Sequence, residues 1–273
     1  MIRRTIPRST VSLPVIGLGT WKGFDKDPKH YMALGSVLDV LAKEKGALID
    51  TSPMYGRAEE VIGDITADRP DKDRFFYATK VWTTGKAAGI RQMEESMKKM
   101  GRTTMDLMQI HNLVDWETHL ETLKEWKAAG KVRYIGITHY TDDSHPVLEK
   151  LIGTGDFDFV QFTYSILNRN AERRLLPAAA ANGVATLINR PFGEGSQLRR
   201  LTGKAIPAEM AAAGITTWPA LFLKYIISHP AVTCVIPGTA DADHMEENRA
   251  AGDAVLPGDS AAWAKMVVPP VRD

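Results

Sequence analysis

Apolar residues along the chain form short continuous runs that alternate with longer segments of helical spacing. The continuous runs predict buried strands at residues 15–19, 74–80, 105–110, 132–137, 158–163, 184–188 and 232–236, and one more that ends at Asp50. The helical spacing predicts helices at residues 30–45, 58–67, 86–100, 115–129, 144–151, 171–181, 217–228 and 243–251. Residues 2–13 precede these units and predict a small hairpin.

Strict alternation of buried strands and helices indicates parallel strands whose outer face is covered by the helices. Eight such units in 273 residues predict the α/β class, as a (β/α)8 TIM barrel with an N-terminal β-hairpin. A doubly wound sheet is the alternative, but the Gly-x-Gly-x-x-Gly turn of dinucleotide-binding folds does not follow the first strand. Because neither a linker-like stretch nor a change in charge divides the chain, we expect residues 1–273 to form one domain.

The composition is that of an ordinary globular protein, with 44% hydrophobic and 25% charged residues. A formal net charge of +1 argues against a dedicated binder of nucleic acid or membrane surfaces. Cys234 is the only cysteine, which excludes an intrachain disulfide and a cysteine-based zinc site. The N-terminus does not resemble a secretory signal, so we expect a cytoplasmic protein; removal of an export leader stays open.

Side chains with acid–base chemistry follow three consecutive predicted strands. Asp50 and Tyr55 come after the second strand, Lys80 ends the third, and His111 follows the fourth. Each residue alone has an ordinary structural explanation, such as a turn or a solvated strand end. In a barrel, however, the carboxyl ends of neighbouring strands meet at one mouth, so the joint placement favours an active site.

These four residue types suit the reduction of a carbonyl group. A tyrosine with an ordinary pKa near about 10 is a weak acid, and a neighbouring lysine ammonium makes its proton easier to donate. Asp50 can keep Lys80 charged, and a neutral His111 can donate a hydrogen bond that orients the carbonyl oxygen. Since no side chain supplies a hydride, a nicotinamide cofactor is needed.

The chain resembles the aldo-keto reductase family along nearly its whole length. The motifs that carry the resemblance stand in the family's order: IGLGTW (16–21), LIDTSPMYGRAEEVIG (48–63), ATKVW (78–82), MDLMQIHN (105–112), GKVRYIGIT (130–138), DFVQFTYS (158–165) and VIPGT (235–239). The resemblance implies NAD(P)H-dependent reduction of aldehyde or ketone carbonyls to alcohols. It makes Tyr55 the proton donor and adds Asp50, Lys80 and His111 to complete a catalytic tetrad.

The same resemblance implies which residues bind the cofactor and the substrate. Residues 19–21 should lie beside the cofactor, Thr138 and Gln161 should hold the nicotinamide carboxamide, residues 190–195 should cover the pyrophosphate, and residues 238–248 should hold the adenosine end. The complete cofactor set is Gly19, Thr20, Trp21, Asp50, Thr138, His139, Gln161, Asn189, Arg190, Pro191, Phe192, Gly193, Gly195, Gly238, Thr239, His244, Glu247 and Asn248. The substrate pocket is expected to be lined by Trp21, Met54, Trp82 and Asn112.

Several positions depart from the family pattern. His139 stands where the family has an asparagine, and Asn189 replaces the aromatic residue that often stacks on the nicotinamide, so stacking comes from Phe192 or is absent. Gly238 and His244 stand where many members carry the lysine and arginine that hold the 2′-phosphate of NADP. NADPH is the expected cofactor, and NADH stays open.

Two other functions fit the sequence less well than a reductase. A non-catalytic scaffold that senses nicotinamide nucleotides has no need of the intact tetrad. A metal-dependent TIM-barrel hydrolase would need paired histidines at a strand end, whereas His119 and His145 are expected on the surface of helices, so no metal is expected. The expected partner is a small carbonyl substrate, and the family resemblance suggests a monomer.

Overall fold

The computed structural model describes residues 1–258 and 260–267 and contains a barrel of eight parallel strands. A two-stranded antiparallel hairpin, β1 (Arg3–Thr5) and β2 (Ser12–Pro14), precedes it. The barrel strands are β3 (Leu18–Gly19), β4 (Ala47–Asp50), β5 (Phe75–Val81), β6 (Met105–Ile110), β7 (Val132–Thr138), β8 (Phe159–Thr163), β9 (Ala185–Asn189) and β10 (Cys234–Val235). Neighbours in the barrel follow chain order, which confirms the predicted fold.

The first and last strands meet through backbone contacts that close the barrel. Parallel bridges join Ile16 to Val235 and Gly19 to Gly238. The contact is close, because a Cβ on Gly19 would lie 2.8 Å from the carbonyl oxygen of Ile236. A glycine at this position therefore lets two backbones approach where the barrel closes.

Helices follow the strands and cover the outside of the barrel. They are α1 (Tyr31–Leu41), α2 (Ala58–Thr66), α3 (Lys86–Lys99), α4 (Trp116–Ala128), α5 (His145–Ile152), α6 (Leu175–Ala181), α7 (Ser196–Arg199), α8 (Ala208–Ala212), α9 (Trp218–Ser228), α10 (Ala242–Ala251) and α11 (Ser260–Val267). Three of them, α7, α8 and α11, were not predicted. Among the described residues, no helix has the length and apolar character needed to cross a membrane.

The hairpin closes the amino-terminal end of the barrel. Ile6 and Leu13 are fully buried and pack with the side chains that point inward from the strands. The hydroxyl of Ser9 lies 2.7 Å from that of Tyr134 on β7, which ties the turn of the hairpin to the barrel. Apolar contacts thus fill this end, and a ligand has access at the other.

Inward-facing side chains change from apolar to polar along the strands. Leu48 on β4, Ala78 on β5 and Leu107 on β6 belong to the apolar cluster inside the barrel. Two residues further along, on the same face, each of these strands carries a polar side chain, namely Asp50, Lys80 and Gln109. The polar layer lies at the carboxyl ends of the strands, below the loops that form the mouth.

The prediction that His119 and His145 lie on the surface is wrong, because both side chains are buried. His119 on α4 packs against α3, where a Cβ on Gly89 would lie 2.5 Å from the imidazole Cε1. Its Nε2 donates to the carbonyl oxygen of Thr83 at 2.7 Å. A glycine on the facing helix therefore makes room for a ring that helical spacing alone would place in solvent.

Candidate active site

A buried ion pair forms the floor of the candidate site. Lys80 Nζ lies 2.6 Å from Asp50 Oδ2 and donates to the carbonyl oxygen of Thr51 at 2.8 Å. The lysine side chain is fully buried and that of Asp50 nearly so. Burial by itself would lower the pKa of Lys80, but Asp50 and Tyr55 raise it above its usual value. The lysine is therefore charged at neutral pH.

Tyr55 is held above this pair by the loop that follows β4. The backbone N–H of Tyr55 donates to the carbonyl oxygen of Ser52 at 2.9 Å, and Gly56 adopts a φ of 61°. An added Cβ on Gly56 would lie 2.5 Å from the Asp25 carboxylate, so a larger residue here would have to displace Asp25 and adopt a backbone conformation that favours glycine. The Lys80 ammonium lies 4.8 Å from the centre of the Tyr55 ring.

The Tyr55 phenol is in its acid form at neutral pH. Burial raises its pKa above the usual value, and the charge of Lys80 opposes that rise. A phenol that keeps its proton until a neighbouring oxygen becomes basic is a suitable proton donor. The lysine charge would stabilise the phenolate once the proton had left.

His111 stands beside Tyr55 as a neutral imidazole. Burial, with contributions from the charges of Lys80 and His139, lowers the pKa of His111 to about 2. Its ring meets the Tyr55 ring edge-on at 5.8 Å between centroids, and Nδ1 lies 3.0 Å from the hydroxyl oxygen of Ser52. If the serine donates to Nδ1, the imidazole proton is on Nε2 and available to a ligand.

Two glutamine side chains donate the remaining hydrogen bonds to the Asp50 carboxylate. Gln109 Nε2 lies 2.8 Å and Gln161 Nε2 lies 3.0 Å from Asp50 Oδ1. The sequence predicts Gln161 as a cofactor ligand but does not predict a role for Gln109. Its position inside the continuous run MDLMQI marked it as a strand residue and did not indicate that its amide faces a carboxylate.

A cavity of about 480 Å³ opens above these residues at the carboxyl end of the barrel. This volume is typical of small-molecule sites. Most of the predicted site residues line it, namely Gly19, Thr20, Trp21, Asp50, Met54, Tyr55, His111, Asn112, Thr138, Gln161, Asn189, Arg190, Pro191, Phe192, Gly195, Gly238, Thr239, His244, Glu247 and Asn248. The structure thus brings together residues from nearly every loop of the mouth.

Four predicted site residues do not line the cavity. Lys80 is covered by its partners, and Gly193 forms a turn with a φ of 54°. His139 Nδ1 accepts from the backbone N–H of Thr141 at 3.2 Å, and its ring stacks on Tyr140. Trp82 stands outside the cavity wall, with its ring 6.4 Å from that of His111.

Charged and aromatic side chains surround the mouth, among them Lys22, Tyr140 and Glu194, which were not predicted. Lys22, after β3, and Arg190, after β9, both pair with Glu194, each at 3.2 Å. The Arg190 guanidinium also lies 4.0 Å from the centre of the Tyr140 ring. The contacts of Lys22 with Glu194 and of Arg190 with Tyr140 join loops that are far apart in the sequence, so local patterns could not indicate them.

The cavity has donors and acceptors suited to a nicotinamide nucleotide. Thr138 and Gln161 pair across β7 and β8 and both reach its wall, where a carboxamide could bond to them. The cavity also reaches His244 in the first turn of α10, and the Nδ1 of His244 lies 4.0 Å from Asp241. In the part of the chain that the structure describes, no three His, Cys, Asp or Glu side chains form a cluster that could hold a metal ion.

A model of the Aldo/keto reductase family matches residues 15–266. The chain is 27% identical over 272 residues to a methylglyoxal reductase of Escherichia coli, with 95% of this chain and 92% of the relative covered. It is 24% identical over 310 residues to an NADH-specific methylglyoxal reductase of the same species, with 91% and 93% covered.

Solved structures agree with these matches. An aldo-keto reductase from Klebsiella pneumoniae in complex with NADPH has a TM-score of 0.84 at 27% identity, covering 100% of this chain and 98% of that chain. Another structure from the same species, in complex with NADP and acetate, has a TM-score of 0.81 at 27% identity, covering 96% and 94%. The likeness therefore includes the sequence as well as the arrangement of the barrel.

Proposed function

Because the chain belongs to the aldo/keto reductase family, we propose that Tyr55, Lys80, Asp50 and His111 carry out its NAD(P)H-dependent reduction of carbonyl groups. The observation that carries the proposal is the buried ion pair of Lys80 and Asp50 directly beneath Tyr55, at the floor of an open cavity. The family assignment favours neither a non-catalytic scaffold nor a metal-dependent hydrolase.

In the proposed reaction, Tyr55 donates a proton to the carbonyl oxygen of the substrate. The bound nicotinamide supplies the hydride that the protein lacks. His111, neutral and beside Tyr55, donates a hydrogen bond from Nε2 to the same oxygen and so orients the carbonyl group. Both groups act on the oxygen where negative charge develops, which is where stabilisation lowers the barrier.

Lys80 and Asp50 act on Tyr55 and not on the substrate. The ammonium stabilises the phenolate that forms when Tyr55 gives up its proton. Asp50 keeps that ammonium charged although its side chain is fully buried. The pair thus lowers the cost of proton donation without itself entering the cavity.

We propose that the substrate is a small aldehyde or ketone and that methylglyoxal is a good first candidate. Trp21, Met54 and Asn112 line the cavity near Tyr55 and leave a mixed apolar and polar surface. Two curated relatives are named as methylglyoxal reductases. A compact substrate with adjacent carbonyl groups suits a site that offers several donors.

NADPH is the proposed cofactor, with the 2′-phosphate held near Thr239 and His244. The solved relatives contain NADPH or NADP, which supports this preference. Asp241 caps α10 by accepting from the backbone N–H of His244, and its carboxylate lies close to the imidazole. Because this carboxylate repels a phosphate, we propose that the discrimination against NADH is modest.

We further propose a monomer in the cytoplasm that consists of a single domain. Among the described residues away from the mouth, the exposed apolar side chains Met32 on α1, Val147 on α5 and Val255 after α10 lie on separate parts of the chain. The one cysteine, Cys234, is buried, which suits a reducing compartment. Light scattering on the purified protein would measure its mass, and a dimer would contradict the monomer.

The proposed function is tested by turnover with purified protein. NADPH oxidation should depend on added methylglyoxal, and tryptophan fluorescence should be quenched on titration with NADPH because Trp21 lines the cavity. Binding without turnover on methylglyoxal and simple aromatic aldehydes would contradict the proposed reaction. Failure to bind either nucleotide, in a folded sample, would contradict the cofactor.

A further inference from the structure

One buried amide beneath the cavity has no part in the proposed proton transfer. Gln109 lies on the inner face of β6, fully buried, in register with Lys80 on β5 and Gly136 on β7. Its Nε2 donates to Asp50 Oδ1 at 2.8 Å, and its Oε1 accepts from Gln161 Nε2 at 3.1 Å. This amide therefore contacts both the ion pair and a residue proposed to hold the nicotinamide.

The neighbouring strand leaves space for this side chain. A Cβ on Gly136 would lie 2.7 Å from Cγ of Gln109, closer than real Cβ contacts allow. Gly136 is outside the left-handed region, so its small size matters here and its conformational freedom does not. The inner face of the barrel is thus shaped around the Gln109 side chain.

The Asp50 carboxylate determines which way both amides point. A carboxylate accepts hydrogen bonds and cannot donate them, so the nitrogen ends of Gln109 and Gln161 must face Oδ1. Oδ2 is then left to Lys80, at 2.6 Å. The same constraint turns Oε1 of Gln161 away from Asp50 and toward Asn189, whose Nδ2 lies 3.4 Å away.

We infer that Gln109 is a positioning residue of the active site, which holds Asp50 against Lys80 and presents the amide oxygen of Gln161 to the cavity. Gln161 lines the cavity, whereas Gln109 lies beneath it. An oxygen at that point is the acceptor that the NH₂ group of a nicotinamide carboxamide needs. The inference rests on the proposed function, since it gives Gln109 a role toward the proposed tetrad and cofactor.

Replacing Gln109 with methionine tests this role. Gln109→Met keeps a similar volume but removes the donor to Asp50 and the acceptor for Gln161. We expect kcat to fall by about 10-fold to 100-fold, since a buried charged acceptor loses a partner. NADPH binding, followed by tryptophan quenching and independent of turnover, should weaken by roughly threefold to tenfold. The matched control is Leu107→Met on the same inner face of β6, which should retain wild-type values.

Gln109→Glu separates positioning from packing. A protonated carboxyl has one donor and one acceptor and can replace the amide, whereas an ionised one cannot donate and repels Asp50. Burial and the neighbouring carboxylate should keep the new group protonated at low pH. We expect the kcat of Gln109→Glu to be clearly higher than that of Gln109→Met at low pH. If this difference in kcat is lost, it should be lost as the pH rises.

The results distinguish this inference from the proposed function. Wild-type kcat and NADPH affinity in Gln109→Met would overturn it, as would a folded Gln109→Glu that is as impaired as Gln109→Met at every pH. A kcat of Gln109→Glu clearly above that of Gln109→Met, at low pH or over the whole pH range, supports the inference. A wild-type protein that binds NADPH but reduces no carbonyl would contradict the proposed function instead, and the NADPH affinities would still test the orientation of Gln161.

Discussion

Lys80 interacts with two neighbours at once, because its ammonium lies 2.6 Å from the Asp50 carboxylate and 4.8 Å from the centre of the Tyr55 ring. A buried charge that loses its partner costs about 3–5 kcal/mol, so each member of this pair depends on the other. The same lysine contributes to lowering the pKa of His111. One buried cation therefore favours a neutral imidazole and a stabilised phenolate within the same site.

The buried imidazole predicts a specific pH dependence of stability. The pKa of His111 is about 2 in the folded protein, whereas an unfolded histidine titrates near about 6.5. Between these values the unfolded chain binds a proton that the folded chain does not, so stability falls as the pH falls through this window. One such proton changes the free energy of unfolding by at most about 1.4 kcal/mol per pH unit.

His111→Gln should therefore reduce the slope of unfolding free energy against pH below about pH 6.5. Chemical denaturation at a series of pH values measures this slope. The matched control is His30→Gln, at an exposed histidine just before α1, which should keep the wild-type slope. An unchanged slope in His111→Gln would mean that folding does not lower the pKa of His111.

His244 provides a test of nucleotide preference. If its imidazole contacts the 2′-phosphate, His244→Ala should weaken NADPH binding by roughly threefold to tenfold and leave NADH binding nearly unchanged. Fluorescence titration with both nucleotides measures the two changes. Equal losses would show that His244 does not contact the 2′-phosphate.

At the scale of elements, the packing of α2 against α3 depends on one glycine. A Cβ on Gly63 would lie 1.8 Å from the carbonyl oxygen of Lys99, a distance that backbone atoms cannot accept. The first helix after the Tyr55 loop thus sits directly on the end of α3. Its position determines where that loop ends.

Gly63→Ala should destabilise the protein by about 1–3 kcal/mol or more, because the helices must move apart. The matched control is Gly35→Ala on α1, where the nearest contact of an added Cβ is 3.9 Å away. That change should be neutral or stabilise by up to about 1 kcal/mol, since alanine favours helix. Thermal unfolding measures both, and equal melting temperatures would refute the packing argument.

The spacing of apolar residues predicted the helices and strands well where an element is buried on one face or on all sides. A strand such as β6 matches its predicted bounds because a continuous apolar run of that length is typical of a fully buried strand. The short helices α7 and α8 lie in a segment rich in glycine, where local pattern is weak. For Gln109, the pattern predicted a strand correctly, but its partner on another strand could not be read from the run itself.

At the scale of the whole molecule, the site depends on the closure of the barrel. Asp50, Lys80 and His111 come from strand ends, so the alternation of strands and helices was enough to expect them together. The contacts of Arg190 with Tyr140 and of Lys22 with Glu194 join distant loops. Their geometry depends on how those loops fold over the mouth, which the sequence pattern does not specify.

The central claim is that Tyr55 donates the proton in an NADPH-dependent reduction, and Tyr55→Phe tests it most directly. This change removes the hydroxyl and keeps the ring beside Lys80 and His111. We measure NADPH affinity by fluorescence and turnover with methylglyoxal for the variant and the wild type. The account predicts nearly unchanged NADPH affinity and a fall in kcat of at least about 100-fold. Turnover at the wild-type rate in Tyr55→Phe would contradict it.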